Sequence, residues 1–115
     1  MDFHLGLQLV LTALLVFVVA RMFLGKVPPA RAHELVKSGA RLVDVRTQGE
    51  FSQGHLDGAV NIPVQELRSR LGDVGPKDVP VVVYCASGAR SASARSILKK
   101  AGFEAHDLGA MRRWG

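Results

Sequence analysis

Cysteine is nearly missing from this chain: one thiol occurs among 115 residues, alongside one tryptophan and one tyrosine. A single thiol makes no internal disulfide, and a lone free cysteine suits a reducing compartment. Aromatics amount to only 6% and are not interleaved with basic residues, so the net charge of +5 does not point to nucleic acid. No internal repeat or low-complexity tract is present. The histidines offer no set of metal ligands, since His33 and His106 have no partners visible in the sequence. At 115 residues the chain allows one domain at most.

Charge is also missing from one long stretch. Residues 3–20, "FHLGLQLVLTALLVFVVA", hold no acidic or basic side chain apart from His4, and apolar character resumes at Met22, Phe23 and Leu24. As a helix, such a run reaches about 27–33 Å, against a bilayer core of about 30 Å. A cleaved signal peptide fits poorly, because the leader is Met1-Asp2 and no small-x-small site follows Ala20. A core helix apolar all round would be too much for so small a domain to enclose. The expectation is therefore a membrane anchor over residues 1–24. Arg21, Lys26 and Arg31 follow it and Asp2 precedes it, which predicts a single-pass protein of the inner or plasma membrane with residues 25–115 in the cytoplasm. The net +5 then belongs to the part beyond the anchor, where it reads either as a solvated, mildly basic surface near anionic lipid or as an attraction for small anions.

Residues 25–29, with Pro28 and Pro29, read as a stiff linker. A helix is predicted over residues 30–38, with Ala32, Leu35 and Val36 on one side and Gly39 as its stop. A buried strand follows over 42–45. Thr47 is the predicted N-cap of a helical turn, with Glu50 completing a capping box. Residues 65–71 predict another helix, stopped by Gly72. Residues 79–84 form a continuous apolar run, as in parallel strands buried on both faces. Ala94, Ile97, Leu98 and Ala101 then repeat with helical spacing, with Lys99, Lys100 and Gly102 at the end of the helix. Residues 104–108 predict a last short strand. Strands alternating with helices imply an α/β domain over residues 30–115, with a mostly parallel central sheet flanked by helices.

The only cysteine stands at the carboxyl end of the strongest strand, in "YCASGARS", where such sheets bind ligands. Between strand and helix lie Cys85, Ala86, Ser87, Gly88, Ala89 and Arg90. Small side chains let the backbone curl into a nest of N–H groups, backed by the positive end of a helix dipole. Arg90 adds a guanidinium suited to oxyanions. Together these draw the thiol down from ~8.5 toward or below neutrality, which makes Cys85 a nucleophile.

Two segments carry a family resemblance, "LVDVRTQGEFSQGHLDGAVNIP" (42–63) and "VVVYCASGARSASARSILKKAGF" (81–103). They resemble the rhodanese domain: an aspartate-valine-arginine strand end, a glutamate-aromatic turn, a glycine-histidine pair, an asparagine-isoleucine-proline, then a cysteine loop running C-x4-R-S. The resemblance implies a sulfurtransferase without metal or organic cofactor. Cys85 takes a sulfane sulfur from a small anionic donor such as thiosulfate, holds it as a persulfide, and passes it to a thiol, cyanide or a protein acceptor. The amides of Ala86, Ser87, Gly88, Ala89 and Arg90 cradle the persulfide, Arg90 steers the donor, and Ser91 adds a hydrogen bond or starts the helix. Asp44, Arg46, Glu50 and His55 are expected to support the loop structurally.

Two other readings are weighed. Phosphatase or arsenate-reductase chemistry on the same fold wants C-x5-R, which would put the arginine where Ser91 stands. A membrane-tethered relay or binding module would transfer sulfur feebly to small acceptors and co-purify with a partner. The glycine pair common before the family's final tryptophan is replaced here by Gly109-Ala110.

Overall fold

The computed structural model describes residues 2–115, with all side chains except those of residues 20–24. Four strands form one parallel sheet: β1 (Arg41–Asp44), β2 (Val60–Asn61), β3 (Val81–Cys85) and β4 (Ala105–Ala110), in the order β2-β1-β3-β4. Placing β3 at the centre follows from its residues. Val81 to Cys85 are all buried, and a strand with no polar alternation needs cover on both faces.

The two covers differ. Val81, Val83 and Cys85 point into a core shared with Ala94, Ile97, Leu98 and Phe103. That side is roofed by α5 (Ala89–Lys100), a 3₁₀ helix (Val64–Arg70) and the short α4 (Leu71–Val74). Val82 and Tyr84 point the other way, into a core with Val27, Ala32, Leu35 and Leu108. Here α2 (Pro29–Lys37) and a terminal 3₁₀ helix (Met111–Trp114) close the layer. Each fully buried Leu or Val on these faces is worth about 1.5–3 kcal/mol, so the central strand is fixed from both sides.

The predicted domain architecture is present, with local differences. The helix expected over 65–71 is a 3₁₀ segment that runs past Gly72 into α4 and ends at Gly75, φ 117°, where the sequence Gly75-Pro76 already implies a turn. Residues 26–28, expected as linker, extend the edge of the sheet. The Val27 amide donates to Asp107 O at 2.8 Å, and Lys26 pairs with Asp107 as an isolated parallel bridge. Thr47 caps α3 (Gln48–Ser52) as expected, with both halves of the capping box in place.

The membrane anchor is not supported. Residues Phe3–Leu24 form a helix, α1, yet among the described residues no helix is long and apolar enough to cross a membrane. His4, Gln8 and Thr12 add polar groups that a count of charges alone passes over. Met1, the first residue of the expected anchor, and the Arg21 side chain, used with Asp2, Lys26 and Arg31 to orient it, lie outside the described residues. The expected single-pass, cytoplasm-facing placement falls with it.

Candidate active site at the Cys85 loop

Cys85 is the last residue of β3, and α5 begins four residues later at Ala89. The link between them turns at Gly88, the N-cap of α5, whose φ of 109° is left-handed and strained for any residue with a Cβ. That turn aims backbone donors at the sulfur. Gly88 N–H donates to Cys85 Sγ at 3.0 Å and Ser91 N–H at 3.4 Å. Sγ lies 3.4 Å from Ser91 Oγ, to which the thiol can donate, while the Ser91 hydroxyl donates to Gly88 O at 3.1 Å.

Burial alone would push the thiol up. The Ser91 hydroxyl, which can turn from Gly88 O to donate to the thiolate, then the Ser91 amide and those of Gly88 and Ser87, outweigh it and hold Cys85 below its ordinary value. Around the free thiol the hydrogen-bonding groups are Ser87, Gly88 and Ser91. Cys85 itself is 0% exposed, whereas Ala86, Ser87 and Ala89 are on the surface.

The four expected supporting residues separate into two networks. Asp44 and Arg46 form a buried pair, with Arg46 Nη2 donating to Asp44 Oδ2 at 2.7 Å and Arg46 Nε to both carboxylate oxygens at 3.1 Å. Arg46 Nη2 also donates to Gly54 O at 2.7 Å. This pair ties β1 to the following loop at a position where the side chains are only 8% and 0% exposed. His55 joins that loop, stacked on Phe51 at 3.6 Å and with Nδ1 2.9 Å from Phe51 O. Glu50 belongs elsewhere. It binds Arg90 in a two-toothed ion pair, Nη1 to Oε1 at 2.6 Å and Nη2 to Oε2 at 3.0 Å. Arg90, and then the Thr47 amide of the capping box, pull the Glu50 carboxyl down to about 2. The Arg90 fork, expected to face a donor, is directed at Glu50.

Three residues near the site were not anticipated. Asn61 Nδ2 donates to Asp44 O and Arg46 O, both at 3.0 Å, and holds the end of β1. Lys26 Nζ lies 3.5 Å from Asp107 Oδ2, with the buried Asp107 also accepting from Gly109 N–H at 2.7 Å. Lys26 also lies close to two glycines. A Cβ on Gly109 would stand 3.0 Å from Lys26 Cδ, and one on Gly88 3.3 Å from Lys26 Nζ. Among the described residues, no three His, Cys, Asp or Glu side chains converge as metal ligands.

Known proteins are similar to this chain in sequence and fold. A thiosulfate sulfurtransferase of Stutzerimonas stutzeri, GlpE, is 32% identical over 91 residues, covering 77% of this chain and 83% of its own. A thiosulfate sulfurtransferase of Escherichia coli, PspE, is 39% identical over 62 residues, covering 53% of this chain and 60% of its own. An uncharacterised Bacillus subtilis protein, YqhL, is 41% identical over 78 residues, with 66% and 61% covered. The chain thus spans about 60% of the length of these last two relatives. Among solved structures, a human single-domain sulfurtransferase superposes with a TM-score of 0.70 at 31% identity, covering 78% of this chain and 94% of that one. The model of the rhodanese-like domain matches residues 28–114, from the turn before α2 to the last 3₁₀ helix, and with that extent of agreement the chain belongs to the rhodanese-like domain family.

Proposed function

We propose that this protein is a sulfurtransferase that carries sulfane sulfur on Cys85. The observation that carries the reading is the pair of backbone N–H groups, from Gly88 and Ser91, directed at Sγ. They stabilise negative charge on the sulfur before the reaction and on a terminal persulfide after it. Relatives named as thiosulfate sulfurtransferases support thiosulfate as the donor.

The steps balance without an added oxidant. The Cys85 thiolate attacks the outer sulfur of thiosulfate, and the new S–S bond forms as the old one breaks. The electron pair leaves with sulfite. An acceptor, cyanide or a thiolate, then attacks the outer sulfur of the persulfide, taking it as thiocyanate or a new persulfide and restoring the Cys85 thiolate. Arg90, held by Glu50, positions the start of α5 and so the Ser91 amide; Asp44, Arg46 and His55 brace the facing loop. The arginine is the fifth residue after Cys85, and the sixth place holds Ser91, whose hydroxyl sits by Sγ. A ring sized for a tetrahedral phosphoryl group needs that place for its cation.

Thiosulfate:cyanide turnover tests the reading. Cys85→Ser is expected to fold normally by circular dichroism and to lose at least about 99% of activity, a loss of about 2.7 kcal/mol in transition-state stabilisation. Activity of Cys85→Ser near that of the native protein would refute it.

A further inference from the structure

Beside the loop lies a cavity of about 730 Å³ with an unusual lining. Its charged members among the described residues are four cations, Lys26, Arg95, Lys99 and Lys100, and one carboxylate, Asp107. Gly88, whose amide donates to Cys85 Sγ, forms part of its wall. A ligand against that wall is therefore one residue away from the sulfur.

Two observations separate this cavity from an ordinary basic surface. The first is the fixing of Lys26. Its backbone bridges to β4, its chain lies over Gly109, and its ammonium stands at Gly88, an approach that a Cβ at either glycine would crowd. The contact with Asp107 is single and long, 3.5 Å, so the ammonium keeps donors for a ligand. The second is that Arg90 is committed to Glu50 by both arms of its guanidinium. Arg95 is anchored as well, by Nε to Ala105 O at 3.2 Å, but to a neutral carbonyl that leaves its charge uncompensated.

We infer that this cavity is the capture site for the divalent oxyanion donor, with Lys26 and Arg95 as its principal cations and Lys99 and Lys100 as outer attraction. The inference rests on the sulfur-transfer reading for the identity of the donor, while the site itself is defined by its affinity for a tetrahedral dianion. A dianion entering from here places its oxygens among the cations and its sulfane sulfur toward the Gly88 side of the loop. Opposite unit charges at contact in water are worth roughly a fivefold change in affinity, and more against a dianion.

The test uses the full chain and sodium sulfate, which cannot transfer sulfur. An amide NMR titration of the native protein is expected to shift Lys26, Gly88 and Ala89 with one saturating midpoint. Lys26→Met is expected to raise that midpoint about fivefold and Lys26→Met with Arg95→Met about 25-fold. In thiosulfate kinetics the same variants raise KM by similar factors with kcat within about twofold. Unchanged midpoints in the double variant, or shifts abolished by Arg90→Met alone, would overturn the inference. Sulfate binding as described, in a protein that takes up no sulfur from thiosulfate, would support the anion site and refute the sulfur-transfer reading. Sulfur uptake with an unmoved KM in the double variant would refute the site and leave that reading standing.

Discussion

Two ion pairs flank the Cys85 loop, and they are built differently. On one side Arg90 and Glu50 meet through both nitrogens and both oxygens, at 2.6 and 3.0 Å. On the other, Lys26 touches Asp107 through one nitrogen at 3.5 Å, and Asp107 gives its second oxygen to Gly109 N–H. The first pair is closed upon itself and extended by the capping box, since Glu50 Oε1 also accepts from Thr47 N–H at 3.0 Å. Its work is to hold the start of α5 against α3. The second pair is open, and its ammonium lies at the rim of a cationic cavity. A guanidinium fork matches a carboxylate in shape, whereas an ammonium on a flexible stem remains exchangeable. The more conspicuous cation of the loop is thus the structural one, and the linker cation is placed for a ligand.

The contrast can be broken most severely at the closed pair. Glu50→Gln keeps the shape but removes the charge that holds Arg90 and weakens the cap of α3. A drop in kcat of about 10- to 100-fold is expected from misplacement of the Ser91 amide, with KM for thiosulfate changed less. A change confined to KM would instead assign Arg90 to the donor. Because the Glu50 carboxyl is depressed in the fold, to about 2 from an ordinary 4.5, its share of stability is fully present above about pH 4.5 and is lost as pH falls toward 2. Acid unfolding of Glu50→Gln followed by circular dichroism should lack that component. An acid profile identical to that of the native protein would contradict it.

Next in size is the glycine between the two pairs. Gly88→Ala forces a Cβ into a left-handed turn and toward Lys26 Nζ, at a cost of about 1–2 kcal/mol in stability. A denaturant midpoint equal to that of the native protein would show that the turn is less constrained than its φ implies. A smaller effect, of opposite sign, should come from Asp107→Asn. Freeing Lys26 from its carboxylate is expected to lower KM for thiosulfate by about two- to fivefold at low salt, an advantage that shrinks at high ionic strength. A raised KM would mean that Asp107 chiefly positions Lys26.

Much of this was legible in the residues. The β-branched run ending at Tyr84 could only be a strand covered on both faces, and the helical spacing of Ala94, Ile97, Leu98 and Ala101 fixed α5 against it. Cys85, Gly88 and Ser91 followed from their place between those elements. Thr47 and Glu50 were readable because a capping box is local. What was not readable is tertiary. Glu50 and Arg90 were each singled out, but their pairing spans 40 residues, and no spacing rule reports it. Lys26 is further still, 81 residues from Asp107, and gains meaning only when the chain joins the edge of β4. The 3₁₀ helix over Val64–Arg70 defeats a pattern reading because its tighter winding does not follow the 3.6-residue period, and the helical chain runs through Gly72 to the turn at Gly75. In α1 a run without charge beyond His4 over residues 3–20 does not suffice for a span, since among the described residues no helix is long and apolar enough to cross a membrane.

Both pairs serve one sulfur, and its reactivity is the claim on which the rest depends. The amides at Sγ set the direction of its pH dependence: uptake should rise with pH through a midpoint below that of an ordinary thiol, because the hydrogen bonds from Ser91 and Gly88 outweigh burial. Intact-mass spectrometry of the full chain after exposure to thiosulfate, repeated across pH 5 to 9, reads this directly. The expected result is a gain of about 32 Da, reversed by a thiol reductant, absent in Cys85→Ser, and with its rate half-maximal below about pH 8.5. An unchanged mass throughout, or a gain that persists in Cys85→Ser, would contradict it.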